Sequence, residues 1–226
     1  MRVVTLNVQF GRRVPEACRL FARAPELAPA DVVLLQEMDL AGTERIASAL
    51  GMRHVYHAAC VHVRTGRDFG NAILSRWPLG GDEKIELPHR SLRDRSARAA
   101  TVATVATPVG PVVVASVHLA TRVEQTPRAR RRQLASLLHR LRAADRAVVG
   151  GDFNGHRIAR LALADGFEWT TRELGGWSAP FTAIDHIVTR GLHARQVGRV
   201  TDTRDATDHP AVWADLVPAG EPGSAR

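Results

Sequence analysis

The sequence predicts a mixed α/β domain in which two packed sheets carry helices on their outer sides. Three observations lead there. Short Val-rich runs recur along all 226 residues, separated by Gly, Pro or charged turns. Pro108-Val109-Gly110-Pro111 joins two of these runs and reads as a hairpin connection. Helical periodicities lie between other runs, so hairpins and helix-linked strands share one chain. No repeat, linker or composition shift divides the sequence. Residues 1–217 are therefore read as one domain, and 218–226, lacking apolar periodicity, as a fraying tail.

In order, the predicted strands cover 3–8, 32–35, 54–63, 71–74, 100–106, 112–119, 147–150, 183–188, 194–200 and 211–217. Each is a run of β-branched or apolar residues bounded by turn formers. Pro15 suits the first turn of a helix whose inner face carries Ala17, Leu20 and Phe21. Thr43 is the expected cap of a second helix bearing Ile46 and Leu50. A third helix is predicted over 128–143, where Leu134, Leu137, Leu138 and Leu141 follow the i, i+3, i+4, i+7 pattern. A weaker helical pattern covers 158–164.

Composition narrows the class. With 45% hydrophobic and 24% charged residues, the chain is neither disordered nor collagen-like. Its formal charge is +8, and Lys84 is the sole lysine among 31 basic residues. Arginine forks bind phosphate well, yet GC-rich coding bias yields the same excess. Arg128, Arg130, Arg131 and Arg132 are read as the solvated face and first turn of the third helix. Cys18 and Cys60 stand alone, which suits packing rather than a disulfide framework or a zinc site. No apolar run reaches the roughly 18 residues of a membrane span. The N-terminus reaches polar Asn7 and Gln9 too soon for a signal peptide. A cytoplasmic monomer without stable membrane association is the expectation.

Polar residues close several apolar runs. Asn7, Glu37, His118, Asp152 with Asn154, Asp185 with His186, and Asp208 with His209 all lie at such ends. Each alone suits a turn or a cap; six such places in one domain suggest convergence on one sheet edge. Carboxylate and amide oxygens are hard ligands, suited to Mg²⁺ or Mn²⁺. Histidines beside such a cation polarise a phosphate oxygen or take a proton from water. No Gly-x-Ser-x-Gly elbow and no Gly-x-x-x-x-Gly-Lys loop is present.

The blocks TLNV (5–8), LLQE (34–37), GNAILSR (70–76), SARA (96–99), SVHL (116–119), GDFN (151–154), AIDHI (183–187) and TDHPAV (207–212) stand in that order. Together they resemble the endonuclease/exonuclease/phosphatase superfamily, with its DNase I-like fold, from residue 5 to about 217. The resemblance implies a four-layer α/β sandwich with the site at one edge of both sheets. It implies that Asn7, Glu37 and Asp208 hold the principal divalent cation. Asp152 and Asn154 would orient or activate the attacking water and contact the scissile phosphate. His118 would donate to a phosphate oxygen, and Asp185 would orient His209. Asp152 and His209 would share water activation and protonation control, with Asn71 and Arg98 contacting phosphate. Two positions depart from the family pattern: Ala183 stands where a basic residue is usual, and Thr207 where serine is commoner.

The implied function is a Mg²⁺- or Mn²⁺-dependent phosphodiesterase that cleaves nucleic acid with an activated water. Compact loops and Ala183 leave room for a phosphomonoesterase or an enzyme acting on small sugar, inositol, nucleotide or lipid phosphoesters. A binding module without catalysis is the third possibility. His118-Leu119, where the abasic-site repair branch has a Tyr-bearing strand end, lowers the repair reading. Aromatic residues at 5% argue against a membrane-inserting hairpin and against a single-strand stacking platform. Trp177 and Phe181 either line the pocket or cover the sheet edge.

Overall fold

A computed structural model of the protein describes residues 1–62, 66–174 and 183–220. Six strands form the first sheet: β1 (Arg2–Asn7), β2 (Val32–Met38), β3 (Arg53–Val61), β4 (Asp68–Ser75), β10 (Leu192–Val200) and β11 (Ala211–Pro218). Their spatial order is β10-β11-β1-β2-β4-β3. The second sheet runs β5-β6-β7-β8-β9, built from Leu79–Glu86, Ala99–Thr107, Gly110–His118, Ala147–Asp152 and Asp185–Arg190. Each sheet has one parallel pair, β1 with β2 and β7 with β8; the other pairings are antiparallel. Parallel neighbours need a crossover. Helix α1 (Val14–Arg23) supplies it in the first sheet and α3 (Pro127–Leu141) in the second.

Strand alternation builds the layers. Val3, Val32 and Leu34 point inward and pack with Val105, Val114, Val148 and Ile187 of the opposite sheet. Their neighbours Val4, Leu6, Val33 and Leu35 point outward, against Leu20 and Phe21 of α1 and Ile46 of α2 (Leu40–Leu50). On the far side, Leu134, Leu137, Leu138 and Leu141 of α3 cover Val117 and Val149. The result is helix, sheet, sheet, helix: the four-layer sandwich expected from the resemblance.

Several local expectations are corrected. Strand β5 was not predicted, because LGGDEKIE buries only Ile85 and carries its charges on an exposed edge, as edge strands do to resist pairing. The segment at 158–164 is a 3-10 helix, Ile158–Asp165. Thr43 is not the cap of α2. Asp39 is, accepting from the Gly42 N–H at 2.8 Å, while the Thr43 hydroxyl donates to the Asp39 carbonyl. Arg130 is not solvated: it is 6% exposed and donates to the Asn154 carbonyl. Arg128, Arg131 and Arg132 are exposed, as expected. Strand β11 runs on to Pro218, while 221–226 lie outside the described residues, as do Val63, Trp177 and Phe181. Among the described residues, no helix is long and apolar enough to cross a membrane.

Leu137 is fully buried between α3 and the second sheet. Leu137→Ala should cost about 2–5 kcal/mol, the transfer loss plus the cavity left behind. Urea unfolding should show a lower midpoint with an unchanged m-value. A shift under about 1 kcal/mol would contradict this packing.

Candidate active site

Register brings the polar strand ends together. In the second sheet, His118 of β7 pairs with Asp152 of β8, and Asp152 pairs with Asp185 of β9, so the three stand in one row. In the first sheet, Asn7 pairs with Gln36, and Gln36 with Asn71. Gly151 makes the β7–β8 contact possible: at φ +154°, a Cβ there would lie 1.8 Å from the Val117 carbonyl oxygen. Glu37 is the extra residue of a bulge between β2 and β4, at φ +59°, a left-handed backbone rare outside glycine. The bulge turns its carboxylate toward the second sheet. Asn154, at φ +52°, has the same unusual backbone.

The two rows meet at Asn7. Its Nδ2 donates to Glu37 Oε1 at 3.0 Å and to Asp152 Oδ2 at 3.2 Å, while its Oδ1 accepts from the Gln9 N–H. Two histidines flank the same carboxylate, with His118 Nε2 3.4 Å and His209 Nε2 3.8 Å from Asp152 Oδ2. Asp185 Oδ2 accepts from His209 Nδ1 at 2.9 Å, and the Asn154 N–H donates to Asp152 Oδ1 at 2.8 Å. Thr207 keeps the role of its hydroxyl, donating to the Asn7 carbonyl and accepting from the His209 N–H.

Burial sets the electrostatics. It pushes Asp152 up to about 7, with the Asp185 charge adding to the rise against His209 and two N–H donors. Glu37 is raised by burial too, opposed by the Asn7 amide. His118 is held well below its ordinary range by burial and by the charges of Arg98 and His209. Burial alone would lower His209, but Asp185, Asp152 and Asp208 outweigh it and push His209 up to about 10.

Beside this cluster opens a cleft of about 460 Å³, and Glu37, Arg98 and His118 form its inner end. Phe10, His62 and Phe69 pack ring to ring along one wall, with centroids 4.7–5.8 Å apart. Arg93, Asp94, Val123, Glu124 and Cys60 are among the remaining lining residues, so Cys60 is a cleft residue rather than core.

A comparison with protein families matches residues 4–209 to the Endonuclease/Exonuclease/phosphatase family. The chain belongs to that family. Phosphoester hydrolysis is the activity class this membership supports. No curated protein matches the sequence. Among solved structures, the fold is similar to an endonuclease/exonuclease/phosphatase from Beutenbergia cavernae DSM 12333, with TM-score 0.80 and 21% identity over 100% of this chain and 73% of that one. It is also similar to the human Nocturnin catalytic domain with bound sulfate anion, with TM-score 0.73 and 19% identity over 97% and 94% of the two chains. D. rerio TDP2 complexed with single strand DNA product gives TM-score 0.73 and 16% identity over 96% and 98%. At these identities the likeness is one of fold.

Endonuclease/exonuclease/phosphatase enzymes typically depend on a divalent cation, and the residues here fit one. Asp152, Asp185 and His209 bring ligand atoms within 4.8 Å of one another, and Asp185 Oδ1 is buried without a hydrogen-bond partner among the described residues. Glu37 adds a second carboxylate on the shared Asn7 amide. Crowded, buried carboxylates with raised pKa values are what a hard dication would relieve.

The predicted residues do not all occupy the same place. Asn7, Glu37, His118, Asp152, Asp185 and His209 converge. Asp208 is exposed and acts on Asp185 and His209 through its charge. Asn154 holds its backbone N–H on Asp152 and its Nδ2 on the Leu119 carbonyl. Asn71 is buried beneath the site, its Nδ2 on the Ala99 carbonyl across the two sheets. Sequence reasoning missed Gln36, whose Nε2 donates to Ser116 Oγ at 3.0 Å between the sheets. It also missed Glu124, which grips Arg98 with both oxygens. Gln36 left a signal, a polar residue inside an apolar strand; Glu124, in a loop, left none.

A histidine raised from about 6.5 unfolded to about 10 folded favours folding fully below about 6.5 and loses that contribution as pH rises toward 10. Urea unfolding in EDTA should therefore show stability falling between about pH 6.5 and 8.5. His209→Gln should flatten that slope. A slope unchanged in the variant would remove His209 as its source.

Proposed function

We propose that the protein is a Mg²⁺- or Mn²⁺-dependent phosphodiesterase that hydrolyses nucleic-acid phosphodiesters. The convergence of Asn7, Glu37, His118, Asp152, Asp185 and His209 on one end of both sheets carries this reading. A bound cation would supply charge neutralisation at the phosphate and the leaving oxygen. Glu37, Asp152 and Asp185, with Asn7 between the first two, are the residues that would hold it, and exposed Asp208 would add its charge from outside the cluster. Asp152 and His209 jointly activate the attacking water and control protonation. As the water oxygen bonds phosphorus, its proton passes to this pair, and the leaving oxygen departs with a proton from the same site. Asp185 orients the His209 ring through Nδ1, which turns Nε2 toward Asp152. Asn154 fixes Asp152 from the other side.

The cleft supports nucleic acid as substrate. Arg12 lies over Phe10, its Cζ 4.9 Å from the ring centroid, and Arg93 and Arg98 line the space beyond. Cations alternating with aromatic faces suit a phosphate backbone carrying bases. This local grouping exists despite the low aromatic content of the chain. A second reading draws on the same cleft. Its 460 Å³ and its acidic Asp94 and Glu124 suit a small phosphoester or a phosphomonoester better than a long duplex.

Asp152→Asn and His209→Ala should each slow hydrolysis by at least about a hundredfold, the scale of a lost general acid or base. EDTA should abolish turnover, and Mg²⁺ or Mn²⁺ should restore it. Oligonucleotide cleavage with inert monoesters is the expected outcome on a phosphoester panel. Inert nucleic acid beside rapid phosphate release from sugar, nucleotide or inositol phosphates would select the second reading. Metal-independent binding without any hydrolysis would reduce the protein to a binding module.

A further inference from the structure

Arg98 does more in this structure than a phosphate contact requires. It is 6% exposed, directly before β6; two contacts hold its guanidinium and one anchors its backbone. Its Nη2 meets Glu124 Oε1 at 2.7 Å and Oε2 at 2.6 Å. The Phe69 ring lies beneath it, 5.4 Å from Cζ to the centroid. Its own carbonyl accepts from the Leu87 N–H, anchoring the backbone. Glu124 is fixed in turn: its Oε2 accepts from the Thr121 N–H at 2.7 Å, and its carbonyl accepts from the Leu92 N–H.

Held this way, Arg98 Nη1 stands 3.1 Å from His118 Nδ1. A guanidinium carries only donors, so Nδ1 must present its lone pair. The competing arrangement would have Nδ1–H donate to Glu37 Oε1, which is 3.7 Å away and beyond hydrogen-bond range. The ring proton therefore sits on Nε2, the nitrogen 3.4 Å from Asp152 Oδ2.

We propose that Glu124 and Arg98 act as positioning residues that lock His118 in its Nε2–H tautomer, so that it donates into the reaction centre. The inference rests on the hydrolytic reading of the cluster given above. Its chemistry is directional. With the proton on Nε2, His118 offers a hydrogen bond to a phosphate oxygen or to Asp152. With the proton on Nδ1, the same atom would offer a lone pair to an anion, and the contact would repel. Glu124 does not reach the reacting atoms; it acts by aiming Arg98.

The test is the protonation state of the His118 ring nitrogens, read by long-range ¹H–¹⁵N correlation on ¹⁵N-labelled protein near neutral pH. Spectra are taken in EDTA and again with Mg²⁺. Wild type should show a single neutral tautomer protonated at Nε2 in both conditions. Arg98→Met should shift His118 to Nδ1–H or to a mixture. Glu124→Gln should do so in part, with kcat reduced about 10–100-fold, the usual scale for losing a residue behind a functional one, and KM within about threefold. A wild-type His118 found as Nδ1–H or as imidazolium overturns the proposal, and that measurement needs no variant to fold. So does an Arg98→Met protein whose His118 spectrum is unchanged. Failure of the hydrolase reading would show separately, as a wild type inert toward every phosphoester whatever tautomer His118 holds.

Discussion

One side-chain amide holds the two halves of the site together. Asn7 closes β1 and donates to Glu37 from its own sheet and to Asp152 from the other. Only an amide of this length offers two N–H groups to two carboxylates while its oxygen accepts from the backbone behind it. An aspartate there would set three acids against one another, and a leucine would strip both carboxylates of a donor. The site's geometry thus rests on sheet packing, because β1 and β8 must approach closely for the amide to span them. Gly150 permits that approach: a Cβ there would lie 2.7 Å from Leu34 Cδ1 of the opposite sheet.

A polar seam beneath Asn7 keeps the two sheets in register. Gln36 donates to Ser116 Oγ, Ser116 Oγ donates to the Leu35 carbonyl, and Thr101 Oγ1 donates to the Asn71 carbonyl. Such buried bonds add about 1 kcal/mol each, and leaving one unmade costs more. Their effect is specificity, since a sheet that slid by one residue would leave several of these groups unpaired at once. The apolar interlayer of Val3, Leu34, Val114 and Val148 supplies adhesion without choosing a register. Chemistry at the strand ends needs both.

Much of this was legible in the sequence, and the physical reasons differ from place to place. The Val-rich strands and the Leu stripe of α3 follow from periodicity, because burial on one face leaves a repeating mark. Asn7, Glu37, Asp152 and Asp185 stood out because polar side chains at the ends of apolar runs need a reason. What stayed hidden had no such contrast. Strand β5 is polar throughout and belongs to the sheet by backbone pairing with β6. Arg130 looks like any surface arginine of an amphipathic helix until the loop after β8 offers the Asn154 carbonyl. Glu124 sits in a polar loop, where one more carboxylate says nothing until Arg98 arrives from the segment before β6. Asp39 is hidden as the cap because apolar periodicity begins only at Ile46, nearly two turns after the helix starts at Leu40.

The same distinction separates reaction from substrate. The groups proposed to do chemistry sit on strand ends, pinned by register and by Gly151, and a motif can describe them because rigid elements fix their spacing. The cleft is built differently. Phe10 follows β1, His62 lies beyond the end of β3, Arg93 and Asp94 belong to the excursion between β5 and β6, and Val123 to the turn before α3. None of the five falls within the blocks that carry the family resemblance. Loop side chains of this kind can change without disturbing the Asn7 bridge, so a fold can keep one hydrolytic centre and exchange what it admits. Glu124 and Arg98 tie the two regions together. Both line the cleft, and Arg98 touches His118, so whatever displaces them on binding also acts on that ring. If the proposed roles hold, substrate choice and proton placement share one ion pair, and a change of loop that breaks it would alter both.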